Sequence, residues 1–148
     1  MRQMSNKGRE HLKHFEGLHL VAYLDAAGIP TIGWGHTKGV KAGDRITREK
    51  AEKLLDDDIN DHARCVARLL DKAIFAGLKQ GQYDALVSFV FNVGCGAFER
   101  STMRKMLNSG EHERAASEFP RWNKGGGKVL AGLTRRRAAE KRMYMEAA

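Results

Sequence analysis

The chain has 148 residues, which is enough to bury the core of one domain, and its 42% hydrophobic and 30% charged residues are ordinary for a soluble globular protein. No run approaches the roughly twenty apolar residues of a membrane span, and no apolar signal segment follows Met1, so a membrane or secretory precursor is not expected. A net charge of +8 favours polyanionic partners, namely nucleic acid, anionic lipid or an acidic cell-wall polymer, without choosing among them.

The first helix is predicted to begin after Ser5, a favourable capping residue, and to end near Gly17. From residue 18 to residue 37 the pattern changes to short alternating runs on either side of a turn at residues 26–30. This pattern predicts a hairpin or a small three-stranded sheet, with residues 38–44 as a further loop or strand.

A long helix is predicted after Thr47, because apolar residues recur at steps of three and four. These residues are Ala51, Leu55, Ile59, Ala63, Val66 and Leu70. The acidic run 56–58 is interpreted as its solvated face. Residues 81–94 are apolar on all sides, which predicts the central buried helix of a second lobe.

Shorter elements follow. Ser101 is predicted to cap a helix through Leu107, and residues 111–119 to form another helix that ends at Pro120. The glycines at 125–127 predict a flexible connection and lack the spacing of a phosphate-binding loop. A last helix is predicted from Thr134 to the C-terminus. Its basic residues are expected to form an electrostatic patch: Arg135, Arg136, Arg137, Lys141 and Arg142.

Two cysteines are present, Cys65 and Cys95, and they do not form a CxxC pair. One disulfide is arithmetically possible, but a chain of this length does not need it. Without an export signal, two reduced and mostly buried thiols are the expected state.

Two carboxylates and a hydroxyl lie within one turn-rich segment: Glu16, Asp25 and Thr31. Cleaving a glycosidic bond needs one protonated carboxyl and one ionised carboxylate. Glu16 suits the acid, because apolar neighbours at a helix end favour the protonated form, whereas Asp25 in a turn should stay ionised. Thr31 could orient a water. The structural alternative, a helix end and a turn, is favoured on spacing alone.

The residues around these three change that balance. The pattern E-G-x(5)-Y-x-D-x(2)-G-x(2)-T-I-G-x-G-H spans Glu16 to His36 and resembles the phage-type lysozymes, the endolysins of glycoside hydrolase family twenty-four. The resemblance continues through residues 82–86, 91–94 and 98–102 to the basic last helix, so it covers nearly the whole chain.

This resemblance implies an α+β, mainly helical, two-lobed lysozyme-like fold, with a small N-terminal β-sheet lobe, a long linker helix and a helical C-terminal lobe. Residues 1–148 would form a single lysozyme domain, with lobes at approximately 12–60 and at 1–11 plus 61–148. It implies hydrolysis of the β-1,4 bond between N-acetylmuramic acid and N-acetylglucosamine in peptidoglycan. Glu16 would be the proton donor, while Asp25 and Thr31 would hold water, or Asp25 would stabilise the cationic sugar.

Substrate contacts implied by the resemblance are Thr37, Phe91, Asn92 and Ser101. Thr37 departs from the family pattern, since an apolar residue can stand there. Phe91 is equally well interpreted as a core residue, and Trp34 and Trp122 are expected to be packing residues. His36 is expected to pair with an acid of the long helix as structural support.

No metal and no organic cofactor are implied. His11 and His14 have a spacing that a metal could use, but no further ligands complete a set, so solvated helix polarity is the favoured interpretation.

The expected partner is the peptidoglycan glycan strand rather than nucleic acid, with an anionic envelope surface as a possible contact of the basic last helix. The protein is expected to be a monomer, made in the host cytoplasm and dependent on a separate holin to reach the periplasmic wall. Two alternatives stay open: a lytic transglycosylase on a similar scaffold, and a basic membrane-disrupting or nucleic-acid-binding module.

Overall fold

The computed structural model describes residues 2–146, which form eight α-helices and four short strands. The helices are α1 Asn6–Glu16, α2 Arg48–Leu69, α3 Lys72–Ala76, α4 Gln80–Val93, α5 Cys95–Glu99, α6 Thr102–Asn108, α7 His112–Ala116 and α8 Ala131–Met145, with a 3₁₀ helix at Phe119–Arg121. The strands are β1 His19–Leu24, β2 Pro30–Gly33, β3 Lys124–Gly125 and β4 Lys128–Val129, paired as two antiparallel hairpins. The predicted α+β, mainly helical fold is confirmed.

Side-chain caps start three of the helices where the sequence predicts them. The hydroxyl of Ser5 accepts a hydrogen bond from the amide of Gly8, and that of Thr47 accepts one from Lys50. Ser101 caps α6 in the same way. Each cap satisfies an amide that the helix itself leaves unpaired.

The core is built around α4, whose residues from Tyr83 to Val90 are all buried. This helix packs against α8, α2 and α1, which confirms the predicted central helix. The predicted apolar stripe of α2 and its continuation at Leu70 are also buried. Trp34 lies in the same core, and Trp122 meets the ring of Phe89 edge-on at 5.3 Å, so both tryptophans are packing residues.

The small sheet consists of β1 and β2 alone, with residues 44–46 running beside β1 as irregular backbone. The amide of Ala22 donates to the carbonyl of Asp44, and that of Ile46 donates to Leu20. The alternation in β1 does not produce a buried face, and Leu24 is 65% exposed. A two-stranded hairpin at the edge of the molecule has too little covering structure to bury both ends of the strand.

The C-terminal third differs from the predictions in its boundaries. The helix predicted at 111–119 ends at Ala116, and Pro120 lies inside the 3₁₀ helix instead of ending an α-helix. The predicted glycine-rich connection is the β3–β4 hairpin. The last helix begins at Ala131, before Thr134, and the end of its predicted range, at 147 and 148, lies outside the described residues.

The predicted basic patch on this last helix is wrong for two of its members. Arg136 and Arg137 are 4% and 0% exposed, while Arg135 and Arg142 face solvent. Residues spaced by three and four share a helix face, so Arg136 and Arg137 point inward with Glu140, which is also buried.

The prediction of two reduced thiols is also wrong. Cys65 of α2 and Cys95, the first residue of α5, form a disulfide across 30 residues of sequence. The bridge forms because α2 and α5 pack side by side, an arrangement that the spacing of the cysteines does not reveal. Among residues 2–146, no helix is long and apolar enough to cross a membrane.

Candidate active site

A cleft of about 450 Å³ lies between the β1–β2 hairpin and the helices. Its lining residues are Glu16, Tyr23, Asp25, Thr31, Gly35, Thr37, Lys38, Asp58, Asp61, His62, Phe91 and Asn92. The structure therefore brings together all three predicted catalytic residues and three of the four predicted substrate contacts. Most of these side chains are polar, as expected of a site that binds a hydroxyl-rich ligand.

Glu16 is the last residue of α1, and its side chain is 18% exposed. Oε2 accepts a hydrogen bond of 2.6 Å from Nη1 of Arg136, which reaches it from α8 with a side chain only 5% exposed. One carboxylate oxygen is therefore held by a buried cation, and Oε1 is the oxygen left for chemistry in the cleft.

Gly35 brings the backbone against this free oxygen. Its φ of 79° lies in the left-handed region, and a Cβ built on it would lie 2.5 Å from Oε1 of Glu16. Only glycine combines this conformation with such a close approach.

Replacing Gly35 with alanine should therefore displace the Glu16 side chain and lower the peptidoglycan-cleaving activity that the resemblance implies by about a hundredfold or more, since a shift of 1 Å can cost that much. Turbidity clearing of purified sacculi measures the activity, and Gly39→Ala is the matched control. Gly39 has a φ of 72° but has open space where its Cβ would be. Equal activity of the two variants would show that the close approach at Gly35 has no role.

Asp25 occupies the turn after β1. Its Oδ1 accepts hydrogen bonds from the amides of Ala27 and Ile29, at 2.8 Å and 2.9 Å. These two backbone bonds hold the Asp25 carboxylate in a fixed orientation in the cleft.

Thr31 of β2 is 2% exposed, and its hydroxyl donates to the carbonyl of Ile29 at 2.8 Å. Because the hydroxyl hydrogen is used in this bond, the oxygen can only accept from a ligand in the cleft. A water bound there would donate one hydrogen to Thr31 and keep a lone pair free.

Tyr23 faces the same carboxylates. Burial, followed by the negative charges of Glu16 and Asp25, raises the pKa of the Tyr23 phenol. The hydroxyl therefore remains a neutral hydrogen-bond donor at neutral pH. The sequence pattern includes this tyrosine as an identity, but nothing in the pattern indicates that it lines the cleft.

His36 lies where β2 turns towards α2. Nδ1 is 2.8 Å from Oδ2 of Asp58, and Nε2 is 2.9 Å from the carbonyl oxygen of Lys38. The ring of His36 is therefore held from both of its nitrogens. Desolvation raises the pKa of Asp58, against the lowering effect of His36. The contact joins the β2 region to α2, as the resemblance implies.

Phe91 and Asn92 come from the end of α4. Phe91 packs against the core and also against the ring of His62, at 5.1 Å between centroids, so it is a core residue and a cleft wall at once. Asn92 lies between the cleft and a neighbouring cavity of about 540 Å³ on the α8 side of Glu16.

Ser101 is not among the cleft-lining residues. It is 4% exposed, its hydroxyl donates to the carbonyl of Phe98 at 2.7 Å, and it accepts from the amide of Arg104. These backbone bonds use the side chain for capping α6, so the structure does not place Ser101 with the other predicted contacts.

His11 and His14 do not share a site. The predicted solvated position is wrong for His11, whose side chain is 8% exposed and contacts the hydroxyl of Ser88 at 2.8 Å. Within residues 2–146, no group of three or more histidine, cysteine, aspartate or glutamate residues could hold a metal ion.

Comparison with known sequences decides the family. The sequence profile of the phage lysozyme family matches residues 13–140, a span that contains the whole cleft. The chain belongs to the phage lysozyme family.

Relatives of this phage lysozyme are named endolysins. That of Acyrthosiphon pisum secondary endosymbiont phage 1 is 44% identical over 97% of this chain and 99% of its own length. The Salmonella phage P22 endolysin is 41% identical over 93% of this chain and 94% of its own. The Bacillus phage PZA endolysin is 44% identical, but the match spans only 55% of it.

Solved structures show the same fold. The muramidase domain of SpmX from Asticaccaulis excentricus has a TM-score of 0.86 and 38% identity, over 98% of this chain and 99% of its own. A P22 lysozyme mutant has a TM-score of 0.82 and 38% identity, over 99% of this chain and 100% of its own. Family, relatives and fold identify this phage lysozyme as a glycoside hydrolase.

Arg136 is the main site residue that sequence reasoning missed. The sequence predicts Arg136 to be part of the basic surface patch, but its side chain contacts Glu16, 120 residues away in the chain. The sequence signal that indicates a partner for Arg136 is its i, i+4 spacing from Glu140, which places opposite charges on one helix face.

Proposed function

We propose that this phage lysozyme is an endolysin that hydrolyses the β-1,4 bond between N-acetylmuramic acid and N-acetylglucosamine in peptidoglycan. The proposal rests on the meeting of Glu16, Asp25 and Thr31 in one cleft. In each of these residues, one side-chain oxygen is held in place by a hydrogen bond to the protein. Fixed groups of this kind need little reorganisation when charge develops in the transition state.

In this mechanism Glu16 is the general acid. Oε1 carries the proton to the glycosidic oxygen as the carbon–oxygen bond breaks, and Arg136 stabilises the carboxylate that is left behind. Asp25 stabilises the positive charge on the sugar, and with Thr31 it holds the water that attacks. If the water attacks opposite the leaving group, the product is inverted, and the two carboxyl groups should lie about 6.5–9.5 Å apart.

Binding of the glycan is assigned to the polar lining of the cleft, with Thr37, Phe91 and Asn92 as contacts. Ser101 is left out, because its hydroxyl caps α6. Attraction between the net charge of +8 and an anionic cell wall would concentrate the enzyme on its substrate.

We further propose that the enzyme acts as a monomer in the periplasm after a separately encoded holin permeabilises the inner membrane. The disulfide between Cys65 and Cys95 supports this route, because such bonds persist in oxidising compartments and are rare in the cytosol. A role for the last helix as an independent membrane-disrupting module is disfavoured, since Arg136, Arg137 and Glu140 are part of the interior.

Product analysis tests the proposed reaction. Sacculi digested by the enzyme should release muropeptides with reducing ends, detected by mass spectrometry before and after borohydride reduction. A lytic transglycosylase would instead release anhydro-muramyl ends, which borohydride does not change. If anhydro-muramyl products were the main species, the reaction would be transglycosylation and not hydrolysis. No water at Thr31 would then be needed.

A further inference from the structure

A cluster of buried polar and charged side chains lies behind Glu16, on the side away from the cleft. We call it the buried charged cluster, and its members are His11 of α1, Ser88 of α4, and Arg136, Arg137 and Glu140 of α8. Ser88 and the side chains of Arg137 and Glu140 are 0% exposed, and that of Arg136 is 5% exposed. Burying this many charges is costly, so the arrangement calls for a reason beyond packing.

Glu140 is the centre of the cluster. Its Oε2 accepts a hydrogen bond of 2.6 Å from the hydroxyl of Ser88, and it lies 3.3 Å from Nε of Arg136 and 3.2 Å from Nη2 of Arg137. Burial, the largest influence, acts to raise the pKa of Glu140, but His11, Arg137, Arg136 and Ser88 together lower it. Glu140 is therefore an ionised carboxylate in the interior.

Arg136 connects this carboxylate to the active site. Nε faces Glu140, Nη2 donates to the carbonyl of Ser88 at 3.4 Å, and Nη1 donates to Oε2 of Glu16. The guanidinium is planar, so contacts on its Nε side determine the direction in which Nη1 points. One cation is thus shared between two carboxylates, one in the interior and one in the cleft.

The remaining contacts of the cluster are made by Ser88, His11 and Arg137. Ser88 has a single hydroxyl hydrogen, which it gives to Glu140, so Nε2 of His11 must donate to the oxygen of Ser88. Arg137 pairs with Glu140 and lies over the ring of Phe89, at 5.0 Å from its centroid, and desolvation lowers the pKa of its guanidinium to about 10.

We propose that Glu140 is a positioning residue for the general acid, which orients Arg136 and offsets part of its charge. Through Arg136 it sets how strongly a positive charge acts on the Glu16 carboxyl group, an inference that rests on the proposed role of Glu16. If Glu140 were neutral, the charge of Arg136 would act more fully on Glu16 and favour its ionised form. The alkaline limb of the activity profile would then move to lower pH.

The pH dependence of activity also depends on the charged groups that surround Glu140 and Glu16. Glu140 is faced by His11 from α1 and by Arg136 and Arg137 from its own helix, while Ser88 from α4 is neutral. Glu16 is faced by Arg136, and Tyr23 and Asp25 lie across the same cleft. His62 also borders the cleft, and His36 pairs with Asp58, which borders it as well, so the experiment needs a control that keeps both histidines.

The test is the pH dependence of kcat and KM on soluble, uncross-linked peptidoglycan fragments. Glu140→Gln should move the alkaline limb of kcat to lower pH by on the order of one pH unit. It should also reduce kcat by about tenfold at the optimum, with KM unchanged, because Glu140 does not border the cleft. Glu140→Asp keeps the charge but withdraws it from Arg136, so it should produce a smaller shift in the same direction.

Asp84→Asn is the matched control, since Asp84 of α4 is another buried carboxylate, which accepts hydrogen bonds from Ser5 and Gln80 and not from Arg136. It should lower the melting temperature and leave the alkaline limb unchanged. If Glu140→Gln does not fold, the pH dependence of kcat in Glu140→Asp tests the proposal. A wild-type alkaline limb and kcat in the Glu140 variant that folds would overturn the proposal, and activity in Glu16→Gln would instead overturn the role of Glu16.

Discussion

Glu16→Gln is expected to reduce the clearing of purified sacculi by about a thousandfold or more while leaving the protein folded. Loss of a general acid alone costs roughly a hundredfold to ten-thousandfold, and glutamine cannot supply the proton that the leaving oxygen needs. The amide has nearly the volume of the carboxyl, and its oxygen can still accept the hydrogen bond from Arg136, so the cleft should keep its shape.

Glu10→Gln is the matched control, because Glu10 lies on the same helix with its side chain in solvent. Circular dichroism and thermal unfolding of both variants separate loss of chemistry from loss of fold. Clearing by Glu16→Gln at the rate of Glu10→Gln would show that another group supplies the proton.

Replacing both Cys65 and Cys95 with alanine is expected to lower the free energy of unfolding by about 3–4 kcal/mol, from the loop entropy of a bridge across 30 residues. For a domain of this size the melting temperature should fall by roughly 10 °C. Neither cysteine borders the cleft, so activity at 25 °C should be largely retained.

Dithiothreitol provides the control for this prediction. Reduced wild-type protein should melt at the temperature of the double alanine variant, and the variant itself should not respond to the reductant. A wild-type melting curve that is the same with and without dithiothreitol would mean that the bridge does not form or does not stabilise the protein.

Local signals predicted much of the fold. The hydroxyls of Ser5, Thr47 and Ser101 start helices because a cap needs only the next three residues. The apolar stripe of α2 and the all-apolar α4 follow from periodicity within one segment. Boundaries were less accurate where chain direction changes within a few residues, as around Pro120 and before Thr134.

Contacts between distant segments were the main source of error. The disulfide depends on α2 and α5 lying side by side, and Arg136 is absent from the surface because it meets Glu16 and Glu140. A run of arginines looks the same in sequence whether its members face solvent or an interior carboxylate.

The sequence by itself determined the candidate residues and the family, because Glu16, Asp25 and Thr31 lie within sixteen residues of one another in a pattern of fixed identities. Only the tertiary structure decided how these groups are held. The contacts of Glu16 with Arg136 of α8 and with the backbone at Gly35 join segments that the sequence separates by 120 and 19 residues. Such contacts depend on how α1, the β hairpin and α8 pack together, and no local pattern records that packing.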